Sequence, residues 1–243
     1  MTIGIIGYGA FGSFVHEISR QYLPKVKVRV NSSKNAVDNV TFFEFEDTAC
    51  CDIVIPAVPI PAFAETYERI ADHARPETVV IDVATVKEYP LMLLRRYGSK
   101  FKYVATHPMF GPYSFAKKNR SLDGLKLVVC ERTVDSALFE EARKFMHDIG
   151  LTILEATAED HDRTIAETLF LTHLIGQIVT VGGFRRSQID TVSFGFLMDA
   201  VESVQNDTAL FRDVYAHNSY CKRVLDRLMK ADEEVRRGLQ EGA

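Results

Sequence analysis

The sequence is short of cysteine, of positive charge and of long apolar runs, and each shortage excludes a class of protein. Its four cysteines (Cys50, Cys51, Cys130 and Cys221) have neither the spacing of metal ligands nor the density of a disulfide scaffold. A net charge of −4 gives no electrostatic basis for binding nucleic acid or an anionic membrane. No apolar run approaches the roughly 20 residues that span a bilayer, and the N-terminus is typical of a strand rather than of a signal peptide. These absences predict a soluble, cytoplasmic protein with reduced thiols.

The 243 residues fall into two parts by their hydrophobic patterns. In the first part, short β-type runs alternate with helical segments, which is typical of a parallel sheet with crossover helices. In the second part, long helical patterns replace the strands. We therefore predict an α/β fold: a Rossmann-type, doubly wound, mostly parallel sheet over residues 1–156, followed by an all-helical domain over residues 157–243.

The pattern places seven strands and four helices in the first part. The predicted strands are Ile3–Ile6, Val26–Val30, Ile53–Ala57, Val79–Asp82, Tyr103–Thr106, Lys126–Cys130 and Thr152–Glu155. The predicted helices are Phe11–Tyr22, Ala62–Ala74, Glu88–Tyr97 and Val134–Ile149. In the second part, helices are predicted over residues 159–183, 193–206 and 208–239.

A glycine-rich turn, Gly7-x-Gly9-x-x-Gly12, joins the first strand to the first helix. Gly7 allows the turn, Gly9 lets the backbone approach a pyrophosphate, and Gly12 lets the helix pack close to the strand. Free N–H groups at the helix start would face the phosphates with the positive end of the helix dipole. Such turns also occur for purely geometric reasons, but this position predicts a dinucleotide site. Its predicted cofactor-binding residues are Gly7, Gly9, Ala10, Phe11, Gly12, Val58 and Pro59.

The end of the second strand lacks the acidic residue that NAD-binding domains place there. It reads Asn31-Ser32-Ser33-Lys34 instead. A carboxylate would repel a 2′-phosphate, whereas hydroxyls, an amide and a lysine would hold one. We therefore predict that these four residues bind NADP, with NAD as the alternative cofactor. A second interpretation is that they are ordinary turn residues, favoured for their local hydrogen bonds.

Two polar segments follow the fourth and fifth strands, at the edge where open α/β sheets place their chemistry. The first is Asp82-Val-Ala-Thr85-Val-Lys87, and the second is Thr106-His107-Pro-Met-Phe-Gly-Pro. The proline after His107 holds the backbone extended, and a histidine at a strand tip suits proton transfer near neutral pH. Many loop histidines have no such role, so the residues alone leave both interpretations open.

Together, these motifs resemble the prephenate/arogenate dehydrogenase family over nearly the whole chain. Further matches are His161-Asp-Arg and Thr172-His173-Leu-Ile-Gly on the first helix of the second part. The His-Pro-Met-Phe-Gly-Pro and Thr-His-x-x-Gly forms are most similar to plant-type arogenate dehydrogenases, which use NADP. The resemblance implies oxidative decarboxylation of arogenate or prephenate in tyrosine biosynthesis, with hydride transfer to the nicotinamide.

The resemblance also implies roles for single residues. His107 would accept the proton of the ring hydroxyl as hydride departs, and Thr85 matches a family serine that bonds the same hydroxyl. Lys87 would shape its loop or face solvent. His173 would lie near the substrate or pack between domains, and His161 would cap its helix and join the domains rather than act in catalysis.

The predicted substrate-binding residues of the helical part are His173, Glu202, Arg185 and Arg186. Glu202 lies near the place where many bacterial prephenate dehydrogenases have an arginine that clamps a substrate carboxylate. A glutamate there would suit the amino group of arogenate; a solvent-exposed helical glutamate is the alternative. Arg185 and Arg186 are candidates for binding carboxylate, because guanidinium presents a matching fork. Arg212 and Lys117 are weaker candidates.

Helices of the second part have apolar positions on several faces, which predicts a homodimer through this domain. Two other functions stay open. One is another two-domain NAD(P)-dependent hydroxy-acid dehydrogenase, although the lysine–asparagine pair typical of those enzymes does not occur between His161 and Thr180. The other is a non-catalytic regulator, which would bind NADPH without any dependence on His107.

Overall fold

Seven strands form one sheet in the computed structural model, which describes residues 1–241. They are β1 (Thr2–Ile6), β2 (Lys27–Asn31), β3 (Ile53–Pro56), β4 (Val79–Asp82), β5 (Lys102–Pro108), β6 (Lys126–Arg132) and β7 (Thr152–Glu155). Their order across the sheet is β2-β1-β3-β4-β5-β6-β7. The β5–β6 pair is antiparallel and the other neighbouring pairs are parallel. The predicted mostly parallel, doubly wound sheet is therefore confirmed.

Six helices accompany the sheet in the first compact unit, which comprises Met1–Glu159. They are α1 (Ala10–Tyr22), α2 (Phe45–Ala49), α3 (Phe63–His73), α4 (Glu88–Tyr97), α5 (Pro112–Lys117) and α6 (Ser136–Asp148). The four long ones lie where the sequence predicts them. Helices α2 and α5 were not predicted, because five or six residues are too few for a helical period to stand out.

Two apolar clusters pack α1 onto the sheet and thereby fix the glycine turn before it. Phe14 of α1 packs with Phe115 of α5 and with the buried residues Leu122, Leu125 and Leu151. The next residue of α1, Val15, belongs to a second cluster with Ile3, Ile5 and Val30. Because neighbouring side chains of α1 enter two separate clusters, the helix is held against rotation about its own axis.

The second compact unit begins at Asp160, three residues beyond the boundary expected from the sequence. The boundary falls two residues into α7 (Ala158–Ile165), which is followed by a π-helical segment (Ala166–Phe170), α8 (Leu171–Val181), α9 (Val192–Val204), α10 (Thr208–His217) and α11 (Cys221–Glu241). The single helix predicted over residues 208–239 is wrong, because the chain breaks between α10 and α11. There the buried Asn218 donates from Nδ2 to the carbonyl of Asp162 (2.7 Å) and accepts from the N–H of Tyr220 (3.0 Å).

Residues Ala158–Val181 form one continuous helical run of 24 residues that is long and apolar enough to cross a membrane. This corrects the sequence-based expectation that no such segment exists. Core helices of soluble proteins meet the same criterion of length and composition. This run also buries two polar side chains, His161 and Asp162, which bond each other within the unit (Nδ1–Oδ1, 2.8 Å).

Exposed apolar side chains are concentrated around the turn between α8 and α9. They are Ile178, Val181, Phe184, Ile189, Val192, Phe196 and Leu197. Ile189 is 91% exposed and Val181 is 86% exposed. Apolar surface of this kind is typical of an interaction site. The homodimer through this unit stays a prediction.

Replacing Asn218 with alanine should destabilise the helical unit. The carbonyl of Asp162 would lose this donor and the N–H of Tyr220 would lose this acceptor, and a buried polar group left unsatisfied costs about 1–3 kcal/mol. Urea denaturation followed by circular dichroism measures the loss. Asn206→Ala is the control, since Asn206 is exposed. Equal midpoints for both variants would contradict the role assigned to Asn218.

Candidate active site

The glycine turn packs closely against both the first turn of α1 and the residue that follows β3. Gly7 has a φ of +100°, and a Cβ on it would lie 2.5 Å from the carbonyl oxygen of Ala57. A Cβ on Gly12 would lie 2.1 Å from the carbonyl oxygen of Gly7. Both distances are shorter than any real contact, so no other residue fits at either position without movement of the backbone. The roles predicted for these two glycines agree with this geometry.

Open space lies in front of the first turn of α1. A Cβ on Gly9 would meet no atom within 4 Å, and no side chain caps the helix. The N–H groups of the first turn therefore face this space with the positive end of the helix dipole. An uncapped helix end beside an open glycine fits the pyrophosphate of a dinucleotide.

The other residues predicted around this turn have different surroundings. Ala10 is exposed, whereas Phe11 packs against both apolar clusters of α1. Val58 packs beside Gly7, with its Cγ1 3.1 Å from the position of an added Cβ. Pro59 is exposed and precedes a short 3₁₀ turn, Ile60–Ala62. Phe11 is thus a core side chain, and only its backbone is placed to face a ligand.

The loop after β2 uses two of its predicted ligands for its own hydrogen bonds. Asn31 donates from Nδ2 to the carbonyl of Phe43 (3.1 Å). Ser32 Oγ donates to Asn35 Oδ1 (2.8 Å) and accepts from the N–H of Lys34 (3.2 Å). Ser33 and the side chain of Lys34 are exposed. For Asn31 and Ser32 the turn-residue interpretation therefore describes the structure.

An acidic residue, Asp38, lies further along the same loop and was overlooked in the sequence. Its Oδ1 accepts hydrogen bonds from the N–H groups of Val40, Thr41 and Phe42 (2.8–2.9 Å). These three donors lower the pKa of the Asp38 carboxyl below its usual range. The carboxylate therefore stabilises its own turn.

His107 lies near the end of β5, directly after a break in strand register. The β5–β6 pairing shifts between Ala105 and Thr106, and His107 lies opposite Val128. Only 4% of His107 is exposed. On the other side of β5, Ala105 pairs with Asp82, the last residue of β4. Thr85, which is half-buried, follows three residues later, so the two predicted catalytic residues extend from the carboxyl ends of adjacent strands.

A buried ion pair connects these two strand ends. Lys87 and Asp82 are both fully buried, and the Lys87 ammonium contacts the Asp82 carboxylate and the carbonyl of Thr106. Tyr67 of α3 donates to Asp82 Oδ1 (3.2 Å), and burial beside this carboxylate raises the pKa of Tyr67 well above its usual value. The expectation that Lys87 faces solvent is wrong, and the alternative that it shapes its loop agrees with these contacts.

His161 is inside the first turn of α7 rather than at its N-cap. The helix begins at Ala158, and the His161 ring bonds the carboxylate of Asp162. Both side chains are buried. The expected capping role is therefore wrong, and the pair fastens the start of the helix from within.

His173 is buried in a column of aromatic rings in the helical unit. Its ring is parallel to that of Phe211 (8° between planes, centroids 6.4 Å apart), and Phe211 stacks on Phe170. Its Nδ1 has no hydrogen-bond partner among residues 1–241. Burial lowers the pKa of His173, and Asp207 opposes this only in part. His173 is therefore neutral at pH 7, with an unsatisfied ring nitrogen that a ligand could use.

Glu202 and Arg186 bind each other. Arg186 Nε lies 2.6 Å from Glu202 Oε1, and Arg186 Nη2 lies 2.7 Å from Asp199 Oδ1. These carboxylates raise the pKa of Arg186 further. Glu202 thus does not present an unpaired carboxylate to an amino group, and the Arg186 fork is already occupied. Arg185 and Arg212 are exposed, and Lys117 lies over the ring of Tyr113.

An open groove of about 650 Å³ runs beside the glycine turn, between α1 and α5. Its lining includes Ala10, Ser13 and Glu17 of α1 together with Pro112 and Arg120. Arg120 and Glu17 form an ion pair across it. The sequence contained no signal for this groove, because α5 was not predicted.

Comparison with known proteins gives a consistent result. Residues 24–155 match the family model described as "Prephenate dehydrogenase, nucleotide-binding domain". Arogenate dehydrogenases 2 and 1 (chloroplastic) of Arabidopsis thaliana are each 28% identical over 98% of this chain, which spans 70% and 39% of their lengths. The crystal structure of prephenate dehydrogenase from A. aeolicus, in complex with hydroxyphenyl propionate and NAD+, has a TM-score of 0.73 at 17% identity. That match covers 99% of this chain and 91% of the other.

The free energy of unfolding should decrease as the pH is lowered, partly because of His173. The unfolded chain binds a proton near pH 6.5, whereas the folded protein binds it only at lower pH because the pKa of His173 is lowered. The free energy of unfolding is therefore highest above pH 6.5 and decreases as the pH falls below it. Urea denaturation at pH 7.5 and 5.5 should show a smaller loss for His173→Gln than for the wild type.

The matched control for this prediction is His147→Gln, since the His147 side chain is 85% exposed. This variant should keep the wild-type pH dependence. A His173→Gln variant with the same pH dependence as the wild type would show that His173 is not held neutral by the fold.

Proposed function

The chain belongs to the prephenate dehydrogenase family, and on that premise we propose that it catalyses NADP-dependent oxidative decarboxylation of arogenate or prephenate in tyrosine biosynthesis. The observation that supports this most directly is the position of His107. It is buried at the carboxyl end of β5, beside the end of β4 that leads to Thr85. The glycine turn follows β1 at the same edge of the sheet, because β1, β3, β4 and β5 are parallel.

In the proposed reaction His107 accepts the proton of the ring hydroxyl. Thr85 donates or accepts a hydrogen bond at the same hydroxyl and so orients it. The bound nicotinamide would take up the hydride from the ring carbon that bears the hydroxyl. The ring carboxylate then leaves as carbon dioxide, and its bonding electrons complete the aromatic ring. The protein's task is to orient the substrate and to hold one proton.

NADP is proposed over NAD from the loop after β2. Ser33 and Lys34 are exposed at its tip, and the nearest carboxylate of the loop, Asp38, is engaged with three backbone N–H groups. A lysine beside a hydroxyl suits a 2′-phosphate, since an ammonium and a phosphate form a charge-assisted hydrogen bond. Asn31 and Ser32 contribute by holding the loop in shape.

Arogenate is the preferred substrate in this proposal because of the similarity to the two Arabidopsis proteins named arogenate dehydrogenase. Glu202 is paired with Arg186, so we no longer propose that Glu202 binds the amino group of arogenate. His173, with its unsatisfied buried nitrogen, is the substrate-binding candidate of the helical unit that the geometry supports best.

His107→Asn should lower the rate by about two orders of magnitude or more, because it removes the general base. The rise of reduced-nicotinamide absorbance is followed with arogenate and with prephenate, each with NADP and with NAD. His147→Asn, at an exposed position, should behave like the wild type. Full activity of His107→Asn would remove His107 from the mechanism. An inactive wild type that still binds NADPH would favour a regulator.

Lys34→Ala should raise the KM for NADP about tenfold or more and leave that for NAD nearly unchanged. A hydrogen bond to a charged group contributes about 1.5–3 kcal/mol, and NAD lacks the phosphate. Initial rates at varied NADP and NAD measure both constants. The control is Lys25→Ala, an exposed lysine of the loop that precedes β2. Equal effects on the two cofactors would refute a phosphate contact at Lys34.

A further inference from the structure

We propose that Lys87 is a positioning residue, which sets the orientation of His107 by holding β5 at the point where its register with β6 shifts. The inference rests on the proposed role of His107 in the reaction. Lys87 does not need to contact substrate or cofactor to act in this way. Its ammonium contacts the Asp82 carboxylate and the carbonyl of Thr106, the residue directly before His107.

Burial of this ion pair costs desolvation free energy. Neither side chain has any exposed surface. Moving an ammonium and a carboxylate out of water costs several kcal/mol per ion, and their attraction offsets this only with good geometry and further hydrogen bonds. Asp82 has these: its Oδ1 accepts from the Tyr67 hydroxyl (3.2 Å) and from the N–H of Ala84 (3.1 Å). Replacing a buried ion pair with apolar residues of similar volume is often neutral or stabilising, so stability alone does not explain the charges.

The pair joins several parts of the site at one point. Asp82 ends β4, Lys87 closes the loop that contains Thr85, and Thr106 belongs to β5. The Thr106 hydroxyl also donates to the carbonyl of Asp82 (2.6 Å). The carbonyl and the hydroxyl of Thr106 are therefore both bound to this one network.

The β5–β6 register shifts between Ala105 and Thr106, and Thr106 is the residue of β5 that Lys87 and Asp82 contact. The extra residue is Cys130 of β6, because Ala105 pairs with Glu131 and Thr106 pairs with Val129. Such a bulge interrupts the ladder and changes the local twist of the strand pair. Because Lys87 binds the Thr106 carbonyl, it stabilises the shifted register. The direction of the His107 ring, one residue later, follows from this register.

The test compares a charge-free pair with the wild type. In the double variant Lys87→Met/Asp82→Asn no buried charge is left alone, and the asparagine still accepts from Tyr67 and Ala84. The ring resonance of His107 in ¹³C-histidine-labelled protein, assigned with His107→Asn, reports the orientation without any need for turnover. We expect the resonance to shift. We also expect kcat to fall by up to about 100-fold, the effect of a small misplacement, with little change in KM.

Lys126→Met is the matched control, since Lys126 is an exposed lysine on β6 of the same sheet. It should leave the resonance of His107 and kcat unchanged. An unshifted resonance in the folded double variant would overturn the proposal, as would wild-type kcat. If the double variant does not fold, Lys87→Gln/Asp82→Asn takes its place, because its two amides can bond each other without any buried charge and the glutamine side chain is too short to hold the Thr106 carbonyl as lysine does. A shifted His107 resonance in that variant supports the proposal, and an unshifted one refutes it.

The proposal and the proposed function fail separately in this design. A wild type that is inactive with both arogenate and prephenate contradicts the function, while the His107 resonance still tests whether Lys87 positions that ring. Activity in the wild type with an unmoved resonance in the variants contradicts the positioning role alone.

Discussion

Contact between backbone and backbone at Gly7 and Gly12 is the constraint on which the first unit depends. A methyl group on Gly12 would overlap the carbonyl oxygen of Gly7, and a methyl group on Gly7 would overlap that of Ala57, the residue after β3. This closeness places Phe14 and Val15 in their two apolar clusters, and it leaves the helix end open in front of Gly9. One packing requirement therefore produces both the core around α1 and the space for a phosphate group.

The sequence was sufficient for the parts of the fold that depend on local pattern. Each strand is a short apolar run between turn residues, and the long helices of the first unit have clear periodicity, so their positions followed from hydrophobic pattern alone. The break at Asn218 could not be seen, because the helical pattern continues through it. Its cause is a hydrogen bond to Asp162, which lies 56 residues earlier.

In the site, too, local sequence patterns were predicted and contacts between distant residues were overlooked. His107 and Thr85 could be named because they stand at strand ends in a recognisable motif. That Lys87 would be buried, and bound to Asp82 and Thr106, follows only from the tertiary structure. Glu202 and Arg186 were predicted to bind substrate from their residue types alone. They are 16 residues apart in the sequence, and the fold pairs them with each other.

The π-helical segment Ala166–Phe170 explains why the helix Ala158–Val181 looked apolar on several faces. Its buried positions recur eight residues apart, as in Asp162 and Phe170 or Ala166 and Leu174. Two turns of α-helix take about seven residues, so in an uninterrupted helix the second set would be rotated by about 80°. The wide turn absorbs the extra residue and keeps both sets on one side. The helix is thus two amphipathic segments separated by a phase shift of one residue, and a relative with an uninterrupted helix should be one residue shorter between these points.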